Sequence, residues 1–153
     1  EGRTRIVHEL VRKDRSGIID IWGALGSRSS VVFDLDNDGD LDIVTNDFHS
    51  EPMVLVSNLT EKKDIHFLKV RLVGTQSNRD GLGAQVTVHT KSGALSKNHD
   101  GQSGHLSQSR CDLYFGLGDD DTVDRIEVRW PSGETQIVSE DIEPGSLVTI
   151  EEP

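Results

Sequence analysis

The sequence predicts an all-β fold: an antiparallel β-sandwich-like domain with one β-hairpin built around an acidic loop. Three observations predict it. Short runs rich in β-branched and aliphatic residues recur along the whole chain. Glycine-bearing turns separate them, and several runs alternate apolar with polar residues at period two. No stretch carries a sustained helical period with caps.

The predicted strands fall at 5–11, 17–24, 30–33, 41–46, 53–57, 66–73, 84–89, 112–117, 125–130, 135–138 and 146–150. The clearest is 66–73, where Leu68, Val70 and Leu72 alternate with Lys69 and Arg71. One face is apolar and the other charged, as in an antiparallel strand with one wet side. In 125–130, Ile126, Val128 and Trp130 go one way, and Arg125, Glu127 and Arg129 the other. Pro131-Ser132-Gly133 then turns the chain into 135–138, which predicts a hairpin. The in-phase position of Trp130 assigns it to the core. Asn37-Asp38-Gly39, Arg79-Asp80-Gly81, Lys91-Ser92-Gly93 and Asp100-Gly101 mark further turns. The polar stretch 59–64 is the best candidate boundary, dividing the chain into 1–60 and 61–153, packed as one unit.

Composition limits function. The net charge of −11 disfavours nucleic acid and anionic membranes as partners and suits cations. No apolar run approaches the roughly 20 residues that cross a bilayer, so membrane insertion is not expected. One cysteine, Cys111, allows no intrachain disulfide and reads as a small buried hydrophobe.

One segment carries chemistry. Asp34-Leu35-Asp36-Asn37-Asp38-Gly39-Asp40-Leu41-Asp42 puts five aspartates at alternate positions. In a regular strand they would share one face at about 7 Å spacing, which is repulsive without a cation. A loop around one hard cation removes the conflict. Calcium takes six to eight oxygens from carboxylates and carbonyls, and glycine at Gly39 allows the positive φ of a sharp turn. The expected ligands are Asp34, Asp36, Asp38 and Asp42 through side chains and Asp40 through its carbonyl. Magnesium keeps its waters, and zinc prefers nitrogen or sulfur. An EF-hand needs flanking helices and a glutamate at the twelfth loop position, where Thr45 stands. The remaining alternative is a solvated Asn-Asp-Gly turn, which explains Asn37 to Gly39 but not five acids in register.

Residues 31–57, centred on Asp34 to Asp42, resemble an FG-GAP or VCBS-type repeat. That family carries such a calcium loop between two strands of a propeller blade. Residues 67–151 resemble an ASPIC/UnbV domain through Asn78-Arg79-Asp80-Gly81-Leu82-Gly83-Ala84, Gly104-His105-Leu106-Ser107-Gln108, Leu113-Tyr114-Phe115-Gly116-Leu117-Gly118 and Val123-Asp124-Arg125-Ile126-Glu127-Val128-Arg129-Trp130-Pro131-Ser132-Gly133. The resemblance implies a secreted or surface protein with an adhesive or ligand-binding role.

Other candidates have plainer readings. Arg79 and Asp80 are ligand-contact candidates, or else an ion pair that shapes a glycine-rich connection. Trp22 suits stacking on a sugar ring or burial in the core. His99, Asp100 and His105 match no standard zinc spacing, and Ser103, Ser107 and Ser109 lack a nucleophile elbow. Asp119, Asp120, Asp121 and Asp124 read as a solvated loop rather than a second cation site. Asn58-Leu59-Thr60 is a glycosylation sequon. Taken together, these features predict a non-catalytic, calcium-binding module at the cell surface or outside the cell. Its expected partner is a protein or, alternatively, a glycan; a hydrolase is the weakest reading.

Overall fold

A computed structural model describes residues 3–12, 15–24, 27–47, 51–104, 107–108 and 112–153, with side chains over 29–46, 51–102, 108 and 112–153. The described chain is all-β. Strands β1 (Arg3–Arg12) and β2 (Arg15–Ala24) form an antiparallel ribbon. Strands β3 (Ser27–Phe33), β4 (Asp42–Asp47) and β5 (Met53–Leu55) make an antiparallel sheet in that order. The acidic segment 34–41 is the loop between β3 and β4.

The body is a two-layer sandwich. One sheet has the order β11 (Leu113–Gly118), β6 (His66–Val73), β14 (Leu147–Glu151). The other runs β13 (Thr135–Val138), β12 (Arg125–Arg129), β7 (Gln85–Thr90), β8 (Gly93–Asn98). The short strands β9 (Gln102–Gly104) and β10 (Ser107–Gln108) pair with each other. The core lies between the two layers. Leu68, Val70, Leu72, Phe115, Leu117 and Ile150 from the first meet Val86, Val88, Ile126 and Val128 from the second. These are the inward positions that period-two alternation selects. Trp130 is core, as its phase predicts, and its indole N–H donates to Gln136 Oε1 at 2.9 Å. The predicted hairpin across Pro131-Ser132-Gly133 forms, with Arg129 opposite Thr135.

The structure departs from the antiparallel expectation at one edge, where β14 runs parallel to β6 with Val148 opposite Val70. The antiparallel neighbour β11 already occupies the other edge of β6. The chain therefore crosses from β13 and enters alongside β6, where Gly145 N donates to Phe67 O and Lys69 N to Ser146 O. Among the described residues no helix is long and apolar enough to cross a membrane.

Candidate functional site

The acidic loop docks on the outer face of β6 and β11. Alternation on β6 turns Leu68, Val70 and Leu72 inward and so presents Phe67, Lys69 and Arg71 outward. Phe67 stacks on Tyr114 of β11 with centroids 5.4 Å apart and ring planes within 8°. Gly39 lies against this pair at φ +98°, where a Cβ would run into Phe67 Cε1. The Tyr114 hydroxyl donates to Gly39 O at 2.7 Å, and Lys69 Nζ donates to Asp34 Oδ2 at 2.7 Å. Burial, and then the charges of Asp34, Asp40 and Asp38, push the Tyr114 hydroxyl above its usual pKa. The close approach predicts that Gly39→Ala undocks the loop. It forces positive φ on a side chain and displaces an aromatic pair, at a cost of about 2–3 kcal/mol. Chemical denaturation of the two proteins in parallel measures it.

The five aspartates divide by task. Carboxylate oxygens of Asp34, Asp36 and Asp42 lie within 4.8 Å of one another. The Asp34 side chain is 2% exposed; its Oδ2 accepts from Lys69 and from Gly39 N, while its Oδ1 is buried with no hydrogen-bond partner. Asp42 holds backbone: Oδ2 accepts from Leu35 N at 2.8 Å and Oδ1 from Ser57 N at 2.7 Å. Asp38 stands outside the trio, accepting from the Thr60 hydroxyl and from Asp40 N.

Asp40 is buried and its carboxylate accepts from Leu59 N at 2.6 Å and Thr60 N at 3.0 Å. Burial pushes that carboxyl up, but hydrogen bonds from the Thr60 backbone, Ser57, the Leu59 backbone and the Thr60 hydroxyl outweigh it. The net result is a pKa below the usual carboxylate value. The donor set of the trio is oxygen only, and Asp34 also carries a bare buried oxygen, a combination that suits a hard cation.

Sequence reasoning missed Ser57, Thr60, Phe67, Lys69 and Tyr114 as parts of this site. No local pattern marks them, since they are 15 to 75 residues from the atoms they touch.

The other candidates lie elsewhere. Arg79 Nε sits 3.3 Å from Asp80 Oδ1, and both line a cavity of about 360 Å³ together with Arg71 and Asp112. Asn78 shapes that loop by exchanging two hydrogen bonds with the backbone of Leu82. A neighbouring groove of about 380 Å³ runs between Val32 and Asn37 on one side and Lys69, Arg71 and Tyr114 on the other. Asp100 Oδ1 caps its own turn by accepting from Gln102 N. Asp120 is buried and accepts from the Ser92 hydroxyl, so it serves the β7–β8 turn. The backbone of Trp22 lies in β2 opposite Arg5. Its side chain, and those of Ser103, His105, Ser107, Ser109 and Cys111, lie outside the described residues.

Residues 74–153 match the family model described as ASPIC and UnbV. The chain belongs to the ASPIC and UnbV family. The matched segment begins seven residues after the start that its motifs suggested and covers the body from the end of β6 onward. The chain is also similar to Cartilage acidic protein 1. It is 33% identical to the Homo sapiens protein over 124 residues, 78% of this chain and 18% of that one. It is 36% identical to the Mus musculus protein over 107 residues, 67% of this chain and 16% of that one. The chain therefore spans less than a fifth of these relatives. The 124 aligned residues exceed the ASPIC and UnbV segment, so the similarity also reaches the N-terminal half.

Proposed function

We propose that this chain is a non-catalytic, calcium-stabilised binding module acting outside the cell or at its surface. The calcium part rests on one pairing of facts: Asp34 Oδ1 is buried and unpartnered, and a carboxylate oxygen of Asp34 lies within 4.8 Å of carboxylate oxygens of Asp36 and Asp42. A bare carboxylate oxygen at such a site is costly unless a cation meets it. On this reading residues 31–57 are an FG-GAP or VCBS-type unit. Asp34, Asp36, Asp38 and Asp42 supply side chains to the ion, and Asp40 supplies its carbonyl. Calcium would cross-link the β3–β4 loop and hold it rigid against β6 and β11.

A protein partner is favoured by the row Val32, Ile43 and Leu55. These residues sit opposite one another across β3, β4 and β5 and are 53%, 39% and 51% exposed. An open apolar row of this kind suits a protein surface. A glycan is the second reading, supported by the polar groove beside Tyr114. The extracellular setting is supported by the relatives, by name acidic proteins of cartilage, whose acidity this chain shares at net charge −11.

Thermal melts test the calcium reading. About 1 mM calcium is expected to raise Tm by roughly 1–6 °C over excess chelator, since extracellular sites bind with Kd near 10⁻⁴–10⁻³ M. The Asp36→Ala/Asp38→Ala variant is expected to lose the shift. An unchanged wild-type Tm would reduce the loop to a solvated turn.

A further inference from the structure

We infer that Lys69 is a resident competitor that weakens cation binding at the acidic loop while keeping the loop docked when it is metal-free. The inference rests on the calcium reading and concerns how that site is regulated. Lys69 belongs to the body and not to the loop; it lies 35 residues from Asp34. Strand alternation puts it on the outer face of β6, where its side chain is 16% exposed. Its ammonium is 2.7 Å from Asp34 Oδ2, 3.4 Å from Asn37 Oδ1 and 5.5 Å from the centre of the Phe67 ring. It thus sits where loop, aromatic pair and acid trio meet.

This placement has two consequences of opposite sign. In the metal-free protein the ammonium offsets repulsion among Asp34, Asp36 and Asp42 and ties the loop to β6. The same fixed positive charge stands beside the donor set and opposes any further cation there. The orientation of Asp34 does not depend on the lysine alone. Gly39 N still donates to Oδ2 at 3.1 Å, so the Asp34 carboxylate keeps one fixed hydrogen bond when the ammonium is removed. Loss of the charge should therefore tighten binding. Two positive charges opposing one at a few ångströms in a largely aqueous setting correspond to an affinity change on the order of tenfold. The device would set a loop rich in carboxylates to respond at high calcium and not at trace levels.

Calorimetric titration of calcium into the full chain at physiological salt tests this, using wild type, Lys69→Met, Lys69→Gln and Lys69→Arg, each paired with a melt in chelator. Lys69→Met is expected to bind calcium on the order of tenfold more tightly and to melt a few degrees lower without it. Lys69→Gln keeps a donor for Asp34 and is expected to tighten binding with a smaller loss in the melt. Lys69→Arg keeps the charge and is expected to stay within about twofold of wild type. Equal or weaker binding by both uncharged variants would overturn the competitor role and leave Lys69 a docking contact only. Silence in the wild type and in every variant would remove the calcium reading, and this inference with it.

Discussion

Replacing Glu152 by alanine is expected to lower Tm by on the order of 10 °C at neutral pH. Glu152 follows β14, and its N–H donates to Val73 O, continuing the pairing to β6. Its carboxylate is buried in a cluster of donors. Oε2 accepts from Thr75 N, Gln76 N and Ser77 N at 2.9, 2.9 and 2.7 Å. Oε1 accepts from the Ser77 and Ser132 hydroxyls, both at 2.6 Å. Three successive N–H groups turned on one anion form a nest. One side chain therefore ties together the end of β14, the loop after β6 and the β12–β13 turn. Gly74 makes the bend possible, since a Cβ there would run into Asn78 O.

Burial pushes the Glu152 carboxyl up, but hydrogen bonds from Ser132, the Ser77 hydroxyl and the backbone of Ser77 and Thr75 outweigh it and hold the pKa at about 2. The unfolded value is 4.5, so the folded pKa is depressed. Its stabilising contribution is present above pH 4.5 and is lost as pH falls toward 2. The Tm gap between wild type and Glu152→Ala should narrow across that window. Glu152→Gln, which removes the charge and exchanges one acceptor oxygen for an NH2 donor while keeping the other, should lie between them. A gap that stays constant through the window would show that packing, and not the anion, holds this junction.

The sequence was most legible where burial is binary and local. Leu68, Val70 and Leu72 alternate without interruption, so β6 and its inward face could be read directly. Strand β8 could not. Gly93–Asn98 is exposed throughout and carries no alternation; it is a strand because β7 offers a free edge, with Thr87 opposite Ser96. The parallel entry of β14 is likewise a property of the partner strand and not of the strand's own residues.

The acidic loop was legible because its five aspartates are contiguous in register. The division of labour among them was not, because Thr60, Lys69 and Tyr114 arrive from distant segments. Glu152 did leave a trace. Val148 and Ile150 face inward, and continuing their phase by two residues places Glu152 on the same side. An acidic residue at an inward position has no use without partners, and the donors on 75–77 and Ser132 supply them.

Asp42→Ala is expected to cost about 3–5 kcal/mol, more than loss of any cation bound at millimolar affinity. Asp42 is 1% exposed, opens β4 opposite Phe33, and has both oxygens committed to backbone. Leu35 N fixes the start of the acidic loop, and Ser57 N fixes the chain just beyond β5. Alanine would leave two N–H groups without acceptors, at about 1–3 kcal/mol each, next to a small cavity. Asp36→Ala offers a contrast, because Asp36 is exposed and accepts only a long bond from Asp38 N at 3.3 Å. It should abolish any calcium response and barely change the chelator-treated protein. Hydrogen exchange separates the two. In chelator, amides of β4 and β5 should exchange faster in Asp42→Ala and at wild-type rates in Asp36→Ala. Wild-type exchange in Asp42→Ala would mean that its bonds to Leu35 N and Ser57 N do not hold the sheet. Faster exchange would show that the Asp42 carboxylate builds the three-stranded sheet in the absence of any cation, so that on the calcium reading the ion would reinforce a sheet that already stands without it.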